Sequence, residues 1–453
     1  MLQPVAVPLW LLILIVLFAA VTFASHFLFP SVRWFLRRRA ERVVARLNDR
    51  LTRPIEPFKL ARRYDMIQRL IYDPEVSREI IAYAKAEGVR EDVAFEKARD
   101  YAREIVPSFS AFAYFGFGIR AARWLATTLY NVQEGAQNRQ IIEDLPEDAT
   151  VIFVMNHRSN MDYVLVTYLA GELSALSYAV GEWARVWPLS RLIKSMGAYF
   201  IRRKSRGDLY RKVLARYVDL ATRNGVTQAI FPEGGLSLNG QLAPPKMGLL
   251  NYAVETHRSD GPEVVFVPVA INYDRVLEDR ILIQAGEEGT RRFQARISVI
   301  LRFALRKIWL RLRGRFLRFG TAAVVFGPPV RISQYADTAP VDVIASDLMD
   351  AIQRVMPAVW VPILARVYLD AEGPLGTDAL RAAATGVAQQ LTPRPMETGE
   401  DVADAIQAAQ LTLEQRHLVE NTPDGWVITE GETPILAYYA ASIAGNFAGA
   451  ARA

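Results

Sequence analysis

Between residue 148 and about 332, apolar residues come in short runs, each closed by glycine, proline or polar residues. The runs fall at 150–154, 175–180, 197–202, 227–231, 263–271 and 322–327. Stretches with apolar positions three and four apart separate most of them, most plainly 208–224 and 246–258. Short apolar runs read as strands and the three-four spacing as amphipathic helices. The alternation predicts an α/β fold, a mixed sheet packed against helices, over residues 148–335. Residues 33–147 read as a helical region punctuated by Pro54, Pro57, Pro74 and Pro107. Residues 336–453 read as helix-rich, with a break at Leu391 to Pro395 and a hairpin turning at Asp424-Gly425.

The start of the chain has a different pattern. Residues 1–32 hold no Lys, Arg, Asp or Glu, and an apolar run extends from about Val5 to Phe29, interrupted only by Ser25 and His26. A bilayer core needs about 20 apolar residues, so the run predicts one N-terminal transmembrane helix. A cleaved signal would want a basic start and a shorter apolar stretch. Arg33, Arg37, Arg38, Arg39, Arg42 and Arg46 follow the run. That bias predicts a single-pass protein of the inner (cytoplasmic) membrane, with everything after Arg33 in the cytoplasm. The expected organisation is an anchor at 1–32, then the helical, α/β and C-terminal regions.

Composition narrows the chemistry. The chain has 453 residues, no cysteine and four histidines, His26, His157, His257 and His417. Disulfides and thiolate metal sites are excluded, and four scattered histidines predict no metal centre. The net charge is +6 and the isoelectric point about 9.4. Part of that charge lies between Arg291 and Arg318, where ten Arg or Lys residues occur without an acid. Apolar residues recur among them at helical spacing. The segment reads as a basic helix lying on anionic lipid or as a solvated helix packed on the sheet. With a membrane span adjacent, anionic lipids are the expected partner and nucleic acid is not.

Candidate chemistry gathers where strand-like runs end. Val151-Ile-Phe-Val-Met-Asn-His157-Arg-Ser-Asn-Met-Asp162 carries an imidazole to a strand end, with a carboxylate five positions on. Such a pair removes a proton from an alcohol while the carboxylate fixes the tautomer. Three further blocks follow in order: Gly197-Ala-Tyr-Phe-Ile-Arg202-Arg203-Lys204; Phe231-Pro-Glu233-Gly234-Gly235-Leu236-Ser237, with Pro244-Pro245-Lys246 behind it; and Val267-Pro268-Val269. Active sites of α/β proteins are built at strand ends.

These four blocks resemble those of the glycerolipid acyltransferases, in their glycerol-3-phosphate acyltransferase branch. The resemblance covers roughly residues 145 to 335. It implies a mixed-sheet acyltransferase core flanked by helical regions. It also implies transfer of a fatty acyl group to the sn-1 hydroxyl of glycerol 3-phosphate, giving lysophosphatidate. His157 would be the general base and Asp162 its orienting carboxylate. Arg202, Arg203, Glu233, Gly234, Gly235, Lys246 and Pro268 would bind substrate. No cofactor is implied beyond the co-substrate, a thioester of acyl-CoA or acyl carrier protein. Within the resemblance, the His-Arg-Ser and Phe-Ile-Arg-Arg variants favour acylation of glycerol phosphate or dihydroxyacetone phosphate over acylation of lysophosphatidate or another lysolipid.

One departure stands out. The branch places arginines just after the paired glycines to hold the acceptor phosphate, whereas this chain has Leu236 and Leu238. Another cation must supply the charge, or the acceptor differs. Two rival readings follow. Ser237 in Gly235-Leu-Ser-Leu-Asn-Gly240 misses a serine-hydrolase elbow by one residue. A membrane-anchored, non-catalytic lipid-binding scaffold is the other.

Overall fold

The computed structural model describes residues 8–23, 38, 42–171, 174–181, 189–202, 207–289, 318–395 and 401–447. It divides into two compact units, Met1–Ile55 and Glu56–Ala453. In the first, a helix spans Leu9–Phe23, 15 residues. At a rise of 1.5 Å per residue that is about 22 Å, short of the ~30 Å hydrocarbon core. Among the described residues no helix is long and apolar enough to cross a membrane. Of the run expected to form a transmembrane helix, the structure describes this 15-residue apolar helix. The rest of the Val5–Phe29 run lies outside the described residues, as do Arg33, Arg37, Arg39, Arg203, Lys204 and the basic stretch up to Leu317.

The second unit is α/β, built on a mixed sheet of eight strands. In chain order they are β1 (Asn131–Glu134), β2 (Thr150–Met155), β3 (Ser177–Gly181), β4 (Tyr199–Ile201), β5 (Gln228–Ile230), β6 (Val264–Tyr273), β7 (Thr321–Phe326) and β8 (Val330–Arg331). The spatial order is β1-β7-β6-β2-β5-β3-β4, with β8 also on β6. From β6 to β4 all neighbours are parallel; β7 and β8 run antiparallel to β6. Six of these strands match the predicted runs. The exceptions are β1 and β8, four and two residues long. β1 arises in the region read as helical and pairs parallel with β7.

Thr-Val-Ile-Phe-Val-Met of β2 and the ten residues of β6 are buried throughout. Strands covered on both faces must read as continuous apolar runs, and these do. A proline within central β6 is tolerated because of where its ring falls. Pro268 O accepts the Gly327 N–H at 2.7 Å. A residue's N and O point to the same side of its strand, so the missing donor of Pro268 faces the turn between β7 and β8.

Helices Asp208–Arg223, Arg63–Ile71, Pro74–Glu87 and Glu91–Ile105 form one helical core that also takes in Tyr199 of β4. On another face, Gly248–Arg258 and Val341–Arg354 pack under β2 and β6. The C-terminal helices Trp360–Asp370, Thr377–Gln390, Val402–Gln415 and Thr433–Ala441 share a single core with the sheet. A hairpin of β9 (Val419–Thr422) and β10 (Gly425–Ile428) forms where the Asp-Gly pair predicted one. Leu436, fully buried, lies in that shared core. We expect Leu436→Ala to cost about 2–5 kcal/mol and to lower the melting temperature of one cooperative transition. Calorimetry showing a separate early transition for the C-terminal helices would contradict the shared core.

Candidate active site

The carboxyl ends of β2, β5 and β6 lie side by side because the three strands are parallel neighbours. Each delivers part of one cluster. β2 ends in Asn156 and His157. Asn156 locks the end of β2 to β6: its Nδ2 donates to Ile271 O at 2.9 Å and its Oδ1 accepts Ile271 N–H at 2.8 Å. His157 Nδ1 lies 2.9 Å from Asp162 Oδ2. Asp162 opens helix Met161–Gly171 and is wholly buried. Its Oδ2 also accepts the N–H of Arg158 at 2.8 Å and of Ser159 at 3.1 Å, while Oδ1 accepts the Tyr273 hydroxyl at 2.5 Å. An ionised carboxylate has only acceptors to offer, so His157 Nδ1 carries the hydrogen and Nε2 keeps its lone pair. The ring stacks on Phe231, centroids 4.1 Å apart, and meets Tyr163 edge-on at 5.4 Å.

The loop between His157 and Asp162 is held from below by a residue outside the four blocks. Glu278 accepts the Ser159 hydroxyl at 2.8 Å and the Asn160 side-chain amide at 3.0 Å. Burial pushes its carboxyl above the ordinary range, and those bonds oppose the shift.

β5 delivers Glu233. Its Oε1 accepts the His157 backbone N–H at 2.7 Å and its Oε2 the Ala243 N–H at 2.9 Å. Ser237 N–H donates back to His157 O at 2.8 Å. The first and third blocks are thus stitched together through both backbone groups of His157. Burial raises the Glu233 carboxyl to about 7 against the pull of the two backbone donors. Gly234 sits at φ 65°, in the left-handed region, and the aliphatic chain of Lys246 crosses it where a side chain would otherwise stand. Gly234 N–H is spent on Phe231 O, and Ser159 N–H on Asp162. Gly235 N–H has no acceptor among the described residues.

Other sequence candidates have different surroundings. Arg202, after β4, forks onto Glu104 with Nε at 2.9 and 3.0 Å from the two carboxylate oxygens, and it faces the rings of Tyr101 and Tyr210. Arg203 is outside the described residues. Leu236 and Leu238 pack against the main core. Ser237 Oγ donates to Gln241 O at 2.7 Å and accepts Gly240 N–H at 3.1 Å. That hydroxyl closes its own turn and meets no histidine among the described residues, which removes the basis for a serine nucleophile.

Sequence reading missed the C-terminal helix as part of the site. The Tyr438 ring lies 5.3 Å from the Arg158 guanidinium carbon. A Cβ on Gly240, at φ 85°, would stand 1.9 Å from Tyr438 O. Tyr439 hydroxyl donates to Asp279 at 2.6 Å and accepts Val276 N–H at 2.9 Å. In sequence the segment Ile435-Leu-Ala-Tyr-Tyr-Ala-Ala-Ser-Ile443 resembles the distal end of the acyltransferase branch but carries no strand-end chemistry that would place it at the site.

Residues 138–272 match the family model described as acyltransferase. The glycerol-3-phosphate acyltransferase of Pseudomonas syringae pv. tomato is 28% identical over 284 residues, covering 61% of this chain and 32% of that protein. The enzyme of the same description from Ectopseudomonas mendocina is 30% identical over 283 residues, 61% and 33%. The chain therefore spans about a third of the length of these relatives. Among solved structures, that of the 1-acyl-sn-glycerophosphate (LPA) acyltransferase PlsC from Thermotoga maritima is 21% identical. It covers 53% of this chain and 76% of that one, with a TM-score of 0.33. The family resemblance read from the four blocks is borne out.

Glu233 yields a pH prediction. A solvated glutamate loses its proton near 4.5, the folded one near 7. The fold therefore binds the proton more tightly than the unfolded chain, and stability falls as pH rises from about 4.5 to about 7. Denaturant titrations across that window should show the loss in the wild type and a shallower one in Glu233→Gln, since the raised carboxyl of Glu278 contributes with the same sign. An identical slope in both proteins would contradict the assignment.

Proposed function

We propose that this chain, which carries an acyltransferase-family segment at residues 138–272, moves a fatty acyl group from an acyl thioester to the sn-1 hydroxyl of glycerol 3-phosphate. The observation that carries the reading is the imidazole of His157 held through Nδ1 by a buried carboxylate, with Nε2 left as base. As the acceptor hydroxyl attacks the thioester carbonyl, Nε2 takes its proton and the C–O bond forms. The tetrahedral oxyanion then collapses, the C–S bond breaks, and the proton on Nε2 is available to the departing thiolate. A thiol has a pKa of about 8.5, so its thiolate needs little help to leave. Gly235 N–H is the donor proposed to meet the oxyanion. Glu233 in this reading positions His157 through its backbone, and Lys246 and Pro268 shape the surroundings of the acceptor.

Catalysis is proposed to take place at the cytoplasmic face of the inner membrane, with the thioester from acyl-CoA or acyl carrier protein. The apolar N-terminal run and the basic residues that follow it support that location. A second reading is acylation of lysophosphatidate or another lysolipid by the same chemistry; Leu236 and Leu238, half-buried against the core where the branch places phosphate-binding arginines, favour within it an acceptor that needs no phosphate contact at those positions.

Purified protein supplied with labelled acyl thioester and glycerol 3-phosphate should form lysophosphatidate. His157→Ala should abolish turnover, and Asp162→Asn should slow it about 10²- to 10⁴-fold, the range of general-base assistance. Full activity in His157→Ala would sink the base assignment. Faster turnover of lysophosphatidate than of glycerol 3-phosphate would move the chain to the second reading.

A further inference from the structure

Arg158 follows the base in sequence and is 2% exposed. Its Nη1 donates to Gly240 O at 2.7 Å. Its Nε and Nη2 are buried with no hydrogen-bond partner among the described residues. Both atoms belong to a side chain lining a cavity of about 270 Å³, whose other polar walls are Asn156, Glu233, Ser237, Gln241, Gln353 and Ser442. Ala444 and Gly445, both exposed, also line it. A guanidinium stays charged at every physiological pH, and burying two of its nitrogens without acceptors is costly; Glu233 is the carboxylate whose field reaches it, and burial holds that group's proton up to about 7. Its planar fork matches the oxygens of a phosphate better than it matches water.

Two observations in this chain leave that role open. The positions after the paired glycines are Leu236 and Leu238, half-buried against the core, and the Arg202 fork is engaged with Glu104. We propose that the cavity lined by Arg158 binds a phosphomonoester dianion, with Nε and Nη2 of Arg158 as its principal donors. The inference rests on the acyl-transfer reading for its ligand, the phosphate of the acceptor. His157 and Arg158 are consecutive, their Cα atoms about 3.8 Å apart. One loop, whose two N–H groups are held by Asp162, therefore carries both the base and the anion site. Glu233, on the cavity wall with its proton near neutrality, adds no fixed negative charge against the anion when protonated.

The test separates binding from turnover by using the full chain with His157→Ala. Calorimetric titration should show saturable binding of both inorganic phosphate and glycerol 3-phosphate, and none of glycerol. Arg158→Gln should weaken both anions about 10- to 100-fold, the worth of a charged hydrogen-bond pair. Arg158 also braces Gly240, so a second variant approaches from the opposite wall. Ala441→Leu narrows the cavity while leaving Arg158 and its Gly240 O partner unchanged in sequence, and should weaken the same anions. In the active protein, Arg158→Gln should raise KM for glycerol 3-phosphate while kcat holds, a split that a purely structural role would not give. Binding of lysophosphatidate and inorganic phosphate but not of glycerol 3-phosphate would uphold the phosphate site and transfer it to a lipid headgroup. Phosphate binding without any acyl transfer would uphold the site while removing the proposed function. No phosphate binding by the parent protein, or undiminished binding in both folded variants, would overturn the proposal.

Discussion

Asp162 is wholly buried and accepts four hydrogen bonds, from His157 Nδ1, the N–H groups of Arg158 and Ser159, and the Tyr273 hydroxyl. A buried carboxylate is tolerable only when its acceptors are satisfied, and these four donors come from one loop and one strand. Meeting that demand folds residues 157–162 into a tight turn, sets the tautomer of the imidazole and ties the turn to β6. Glu233 repeats the device on the other side, where its two oxygens take backbone N–H groups from the first block and from the loop after the third. The base is therefore held by carboxylates at its side chain and at its backbone, on strands that parallel pairing keeps adjacent.

The rest of the second unit serves this arrangement. Parallel β5, β2 and β6 bring their carboxyl ends to one edge, and the antiparallel β7 and β8 close the sheet beyond them. The C-terminal helix then braces the third block from outside, with Tyr438 against both Gly240 and Arg158. A region without strand-end motifs thus contributes walls to the site, which explains why its core is continuous with that of the sheet.

Much of this was legible in the sequence, for identifiable reasons. β2 and β6 are buried on both faces, so each shows as an uninterrupted apolar run ending at a polar residue. His157 and Asp162 lie within one turn, so their meeting follows from spacing. The short edge pieces β1 and β8 escaped because four and two residues carry too little periodicity to compete with their surroundings. Glu278, Tyr273 and Tyr438 join the site through contacts spanning more than a hundred residues, which no local pattern encodes. Arg158 stood inside the first block, yet only burial and its unpaired nitrogens distinguish it from a family marker. Arg202 shows the converse: a strand-end arginine reads as an anion ligand until Glu104 appears from a distant helix.

The account requires one protonation pattern above all: hydrogen on Nδ1 of His157, lone pair on Nε2. Long-range proton–nitrogen correlation of the imidazoles, assigned by difference against a His157→Gln protein, reads this directly near neutral pH. The account predicts a neutral ring of the Nδ1–H form whose signals shift when Asp162 becomes asparagine. A ring protonated on Nε2, or one indifferent to that substitution, would contradict it.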